Sequence, residues 1–209
     1  MLTLDEYLAD PCGCSSIPWW KAKTMVLPET MQLLHNRDYD PGLTLLWQDQ
    51  PYFRLYHDLG GIDPVCPPGI RLVTASPRDI PDIVHIINAS YTDLQVTQEQ
   101  IYSYTRTPVY APALWMMAEE CATGRPVGCG IADYDPEARE LVLEWIQVLP
   151  AFRRRQIGRA LVCGLLSRHP QEARFATVSG QVENPANPQA LYRRCGFVGT
   201  DIWHVLRKR

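Results

Sequence analysis

The stretch that most limits what this chain can become is residues 148–162, VLPAFRRRQIGRALV. A strand ends at Val148-Leu149-Pro150, a tight basic loop follows at Arg153-Arg154-Arg155-Gln156, and Ile157-Gly158-Arg159-Ala160-Leu161 opens a helix. The first N–H groups of a helix have no partner inside it, and the helix dipole adds partial positive charge at that end. Small residues such as Gly158 and Ala160 let a phosphate approach the main chain. The segment therefore reads as an anion cradle, with a pyrophosphate as its natural occupant. Neither G-x-x-x-x-G-K-[ST] nor a G-x-G-x-x-G after the first strand is present, which sets aside ATP and dinucleotide loops.

The charge distribution agrees with an anion site in the second half of the chain. Residues 1–152 hold 9 Lys/Arg against 20 Asp/Glu, and residues 153–209 hold 11 against 3. A net charge of −3 thus hides a basic last quarter. With 46% hydrophobic and 21% charged residues over 209 positions, the composition is that of a globular protein, and the length suits one domain or a domain with an attached segment. No apolar run approaches the roughly 20 residues that span a bilayer, and MLTLDEYLAD is acidic where a secretory leader would be basic, so the expectation is a cytoplasmic protein away from membranes. Seven cysteines, odd in number and mostly within apolar segments, read as reduced thiols. Cys12-Gly13-Cys14 has no second pair at ligand spacing, so no metal is expected.

Residues 1–68 are rich in Pro, Trp and Tyr and end in a turn-rich stretch from Gly60 to Gly69, which marks a boundary. Trp19, Trp20, Trp47 and Phe53 are read as covering part of a core. From residue 70 strands and helices alternate. Ile70–Ala75 is expected to be a strand, and Ser76-Pro77 caps a helix running to about Ser90; Thr97–Thr105 is a second short helix. Leu114–Glu120, Val127–Tyr134 and Glu140–Val148 read as an antiparallel meander. A helix from Gln156 to Arg168, a strand Phe175–Val182, a helix Pro188–Cys195 and a strand Asp201–Arg207 complete an α/β fold: a mixed, mostly antiparallel sheet with helices on both faces.

The strand-to-helix turn resembles the GNAT superfamily of acetyl-CoA-dependent acyltransferases, whose signature there is [QR]-x-x-G-x-[GA]. In the usual register, R-G-x-G-I-G, Arg153, Gln156 and Gly158 fall on the motif, with Gln156 where glycine is expected. Shifting by two gives Arg155-x-x-Gly158-x-Ala160, a complete match. The first register also places Pro150, Phe152 and Leu161 where the family has proline, an aromatic and leucine. A second segment, ENPANPQALYRRCGF at 183–197, matches the family's helix that carries L-Y and ends in G-F, at Leu191-Tyr192 and Gly196-Phe197. The resemblance covers residues 70–209, and makes residues 1–69 an N-terminal extension of unassigned role.

The resemblance implies acetyl-CoA as co-substrate, held by the Val148 amide and by Arg153, Arg154, Arg155, Gln156, Gly158, Arg159 and Ala160. The family's pantetheine-contacting asparagine falls on either Asn184 or Asn187. It implies Tyr192 as the acid that protonates the departing thiolate, and the Val148 N–H as oxyanion donor. Glu144 is the candidate base, because period-two alternation puts it on one face with Ile146 and Val148, and flanking Leu143 and Trp145 favour a raised pKa. His204 is the weaker candidate. Tyr91, Asp93, Tyr102 and Tyr104 would give an aromatic, mildly acidic lining for an amine acceptor, either a small molecule or a peptide.

The expected activity is transfer of an acyl group from acetyl-CoA to a primary amine by direct attack. The alternative is a non-catalytic acyl-CoA-binding sensor, against which the retention of Tyr192 argues. Nucleic-acid binding by the arginine run is set aside, because no aromatics interleave it for base stacking. A homodimer is left open.

Overall fold

The computed structural model describes residues 2–91 and 94–209. In chain order the elements are α1 (Leu4–Ala9), α2 (Trp19–Ala22), β1 (Met31–His35), β2 (Trp47–His57), β3 (Ile70–Thr74), α3 (Ile80–Asn88), α4 (Gln98–Tyr104), β4 (Trp115–Glu120), β5 (Pro126–Asp135), β6 (Glu140–Val148), α5 (Ile157–Leu166), β7 (Phe175–Gln181), α6 (Pro188–Arg194) and β8 (Val198–Lys208). They fall into two compact units, Leu59–Ala176 and Met1–Asp58 with Thr177–Arg209. The fold is a mixed α/β architecture in which β8 pairs antiparallel with β1 and β2, and β3, β4, β5 and β6 pair antiparallel in succession.

In the unit Leu59–Ala176 the strand order is β6-β5-β4-β3. This is the meander expected from the turn residues, with Gly128 opposite Val148 and Trp115 opposite Ile131. Alternation gives the sheet two apolar faces. On one, Trp115, Met117, Cys129 and Ile131 pack under α3 and α4, with Ile80, Ile83, Ile86, Ile87 and Ile101 completing the cluster. On the other, Gly128 and Gly130 meet α5. A Cβ added at Gly128 would lie 3.3 Å from Leu161 Cδ1, and one at Gly130 would lie 3.1 Å from Leu165 Cδ1. The missing side chains let α5 lie close against the strand, and α5 is buried over most of its length.

The helix expected from Pro77 to Ser90 is divided. Ser76 caps a 3-10 turn over Pro77–Asp79 in a reciprocal box with Asp79, and the α-helix begins only at Ile80. Pro81 explains the break: its ring and absent N–H are tolerated in a first turn and not in a helix interior.

In the other unit the order is β1-β8-β2-β7. β8 is longer than expected, beginning at Val198 and not Asp201, and it pairs with β1 from Met31↔Arg207 to His35↔Trp203 and with β2 from Trp47↔Lys208 to Tyr56↔Val198. Strands β1 and β2 lie in the segment for which no element is expected from the sequence. Trp19 and Phe53 are buried, while Trp20 and Trp47 are half-buried. The Arg54 guanidinium is buried too, held by the Pro11 carbonyl at 3.1 Å, Ser179 Oγ at 3.2 Å and the Tyr7 hydroxyl at 2.8 Å. Among the described residues no helix is long and apolar enough to cross a membrane.

Candidate active site

The end of β6 and the loop into α5 form the most distinctive surface of the unit Leu59–Ala176. Glu140–Leu143 are buried, whereas each residue from Glu144 to Val148 is half-buried. The change coincides with a bulge. Ile131 pairs with Trp145 and Ala132 with Leu143, so Glu144 is the extra residue of β6. The alternation used to place Glu144 with Ile146 and Val148 therefore does not run through it. Ile146 and Val148, opposite Gly130 and Gly128, share the α5 face; Trp145, opposite Ile131, takes the other. The Leu149 amide donates to the Val127 carbonyl at 2.9 Å. In an antiparallel ladder the neighbouring amide, that of Val148, then points away from β5.

Pro150–Phe152 form a 3-10 turn, and the chain enters α5 through two left-handed residues, Arg154 at φ 66° and Gln156 at φ 61°. These are two of the three positions that the R-G-x-G-I-G run gives to glycine when it starts at Arg153, the third being Gly158; started at Arg155, it gives glycine to 156 and not to 154. Because the backbone coils back at both, the amides of residues 154–159 make no hydrogen bond to described residues, and the first intrahelical bond is donated by Ala160 to Gln156. Gln156 stands at the N-cap without capping through its side chain. The result is a concave run of donors at the positive end of a ten-residue helix.

The arginines divide their work. Arg153 donates to the carbonyls of Val148 (3.2 Å) and Ser90 (3.4 Å), which ties the loop to β6 and to the end of α3. Arg159 is paired with Asp63 at 3.2 Å. The Arg155 guanidinium lies 5.0 Å from the Phe152 ring centre. Arg154 is exposed.

Tyr91 is joined to β6: Gln147 Nε2 donates to its hydroxyl at 2.7 Å, and its ring meets Trp145 edge-on at 6.3 Å. Tyr104 packs on the core under α3 and α4. Tyr102 lies exposed on α4 with Arg106 over its ring at 4.9 Å. Asp93, the fourth residue expected in the acceptor lining, lies outside the described residues.

In the other unit, both asparagines build the entry to α6. Asn184 Oδ1 accepts from the Ala186 amide at 2.9 Å, and Asn187, left-handed at φ 48°, caps α6 by accepting from Ala190 at 3.2 Å. Tyr192 is 7% exposed, packed against Phe53 and Phe197. Below it, His57 Nε2 lies 3.0 Å from the Cys195 carbonyl, and burial pushes the His57 pKa below the ordinary imidazole value. Both nitrogens of His204 are engaged, Nδ1 with Asp49 (2.9 Å) and Nε2 with Asn36 (3.2 Å), and its ring stacks on Tyr39. Among the described residues no group of three or more His, Cys, Asp or Glu is placed to hold a metal.

Residues 112–199, which include β4–β6, the cradle, α5 and α6, match the family model described as an acetyltransferase (GNAT) domain. Its fold is the GNAT fold. Solved GNAT proteins share its fold. A GCN5-related N-acetyltransferase from Sphaerobacter thermophilus superposes with a TM-score of 0.68 at 22% identity, over 91% of this chain and 64% of that one. Ard1 from Thermoplasma volcanium gives 0.55 at 22%, over 67% of this chain and 97% of its own. The ribosomal-protein-S18-alanine N-acetyltransferase from Escherichia coli gives 0.53 at 18%, over 66% and 93%. These last two chains, nearly complete, thus fit within about two thirds of this one, while this chain spans less than two thirds of the Sphaerobacter protein. No curated protein sequence matches it.

Two features of this region were missed by reading the sequence. Gln147 makes its contact across the fold to Tyr91, which no local pattern signals. The bulge at Glu144 has no glycine or proline to announce it.

Proposed function

We propose that this protein is an N-acetyltransferase that moves an acetyl group from acetyl-CoA to a primary amine by direct attack in a ternary complex. The observation that carries the reading is the run of amides at 154–159 with no partner among the described residues, with left-handed backbone at 154 and 156, within a segment that matches the GNAT model. These amides, with the rim arginines, take the cofactor's pyrophosphate. Residues 70–209 make up the catalytic domain in this reading, and residues 1–69 are an extension that supplies β1 and β2 as partners for β8.

The acceptor amine attacks the thioester carbon; the Val148 amide stabilises the oxyanion; the tetrahedral intermediate collapses with departure of the CoA thiolate, which Tyr192 protonates. Glu144, half-buried at the bulge, takes the proton from the amine through water. Either Asn184 or Asn187 meets the pantetheine arm through its remaining amide hydrogens. Tyr91, Tyr102, Tyr104 and Asp93 serve the acceptor. Direct transfer is supported by Cys129, on β5 beside the end of β6: burial pushes its thiol up to about 12, so at neutral pH it provides no thiolate to carry an acyl group.

Calorimetric titration with acetyl-CoA and CoA, followed by a thiol-release screen over an amine panel, tests the proposal. Micromolar binding with release on one amine class is the expected result. Binding without turnover on any amine would favour the sensor reading, and absence of binding would refute the cradle.

A further inference from the structure

Phe152 carries a guanidinium from each of two separate elements. Arg155 reaches it from the cradle at 5.0 Å, and Arg125 reaches it from the β4–β5 hairpin at 5.8 Å. Arg125 is held in place by its own turn. Its amide donates to Thr123 Oγ1 at 3.1 Å, its carbonyl accepts from Glu120 at 3.0 Å, and Gly124 supplies the left-handed residue at φ 70°. Among the described residues neither guanidinium has an ion pair, although Arg153 and Arg159 nearby both have acceptors in the protein. The acid closest in sequence, Glu120, lines an open hollow with Arg155, Cys121 and Ile70 and accepts from the Thr123 hydroxyl at 2.8 Å. Two like charges collected on one ring without a carboxylate repel each other in the empty protein. The arrangement is relieved by a multivalent anion between them.

The cofactor read into the cradle offers such an anion. Its ribose is joined through the 5′ carbon to the pyrophosphate and carries a phosphomonoester on the 3′ oxygen. With the pyrophosphate on the amides of 154–159, that third phosphate must fall beside the cradle. We propose that Arg125 and Arg155, stacked on Phe152, form the site for the 3′-phosphate, and that Arg125 makes the protein discriminate CoA from 3′-dephospho-CoA. The inference rests on the acetyl-CoA reading and extends it to a residue outside the signature loop. The stacking fixes each guanidinium plane in advance, so little rotamer freedom is lost on binding.

The test is calorimetric titration of the full chain with CoA and with 3′-dephospho-CoA, for the natural protein, Arg125→Gln and Arg78→Gln. Arg125 is exposed, so its substitution leaves the core intact, and Arg78, exposed in the 3-10 turn before α3, is the control for loss of one positive charge. A charge-assisted hydrogen bond to a dianion corresponds to about a 10-fold or greater preference for CoA in the natural protein. Arg125→Gln should bring the affinity for CoA down to that for 3′-dephospho-CoA, with the latter changed by less than about 2-fold, and Arg78→Gln should behave as the natural protein. Equal binding of the two ligands by the natural protein would overturn the proposal. So would an equal weakening of both by Arg125→Gln, since Arg125 would then act on the shared part of the ligand. If the natural protein bound neither ligand, the acetyl-CoA reading would fall first and this inference with it.

Discussion

Gln156 is an L-residue in a conformation that glycine adopts at no steric cost, and the energy of that misfit can be worked out. The left-handed backbone costs a residue with a Cβ about 1–2 kcal/mol. Glycine in its place gives back about 0.5–1 kcal/mol through the freedom it gains in the unfolded chain. The Gln156 side chain is exposed and makes no capping bond, so nothing else is lost. Gln156→Gly should therefore stabilise the fold by about 0.5–1 kcal/mol, which for a chain of this size is about 1–4 °C in Tm. Arg155 lies one residue earlier at negative φ, and Arg155→Gly should shift stability in the opposite direction. Urea denaturation of the two variants beside the natural protein reads the sign directly. Acetyl-CoA affinity, measured in parallel, should survive Gln156→Gly because the amides keep their directions. If Gln156→Gly destabilised the protein as Arg155→Gly does, the left-handed turn at 156, and the donor run that depends on it, would be wrong.

Other outcomes follow from the remaining features. Tyr192→Phe should lower kcat by about 10²-fold with acetyl-CoA affinity nearly unchanged, checked by steady-state kinetics against calorimetry; unchanged turnover would remove the phenol from the chemistry. Leu161→Ala empties a fully buried position where α5 meets Gly128 and Gly130, and should cost about 2–5 kcal/mol by chemical denaturation. His57 has a pKa held below its unfolded value, so the folded protein resists taking up that proton. The associated stability is complete above the unfolded pKa of about 6.5 and is lost as the pH falls through the folded value. Replacing His57 by Asn should flatten the fall in Tm below about pH 6.5, read by thermal unfolding across a pH series.

What could be read from the sequence follows the range of the interactions involved. The meander β4–β6 carries its turns and its alternation locally, and so do the cap at Ser76 and the apolar face of α3. All were legible, and Glu140–Val148 has the bounds expected of it. The strands β1 and β2 were not. β2 contains Pro51, Asp49 and Arg54, which spoil its pattern, and what makes it a strand is pairing with β8 some 150 residues later. The division of the helix at Pro81 could have been anticipated from the proline itself. At the site, the basic loop was visible as composition. Its shape was not, because Arg154 and Gln156 hide the left-handed turns that glycine would have announced. The pairing of Arg125 with Phe152 joins a hairpin tip to a loop far along the chain, and nothing local indicates it.

A cradle built from main-chain donors has no side chain to lose. Substituting Arg154, Arg155, Gln156 or Arg159 alters the rim charge and the ease of the turn, but each new residue brings the same N–H to the same place. The exception is proline, which removes the donor itself. The loop can therefore drift in sequence without surrendering its grip on an anion, and its lineage is better followed in dihedral angles than in letters. Saturation mutagenesis of residues 154, 155, 156 and 159 would show this as a tolerance map with one forbidden column.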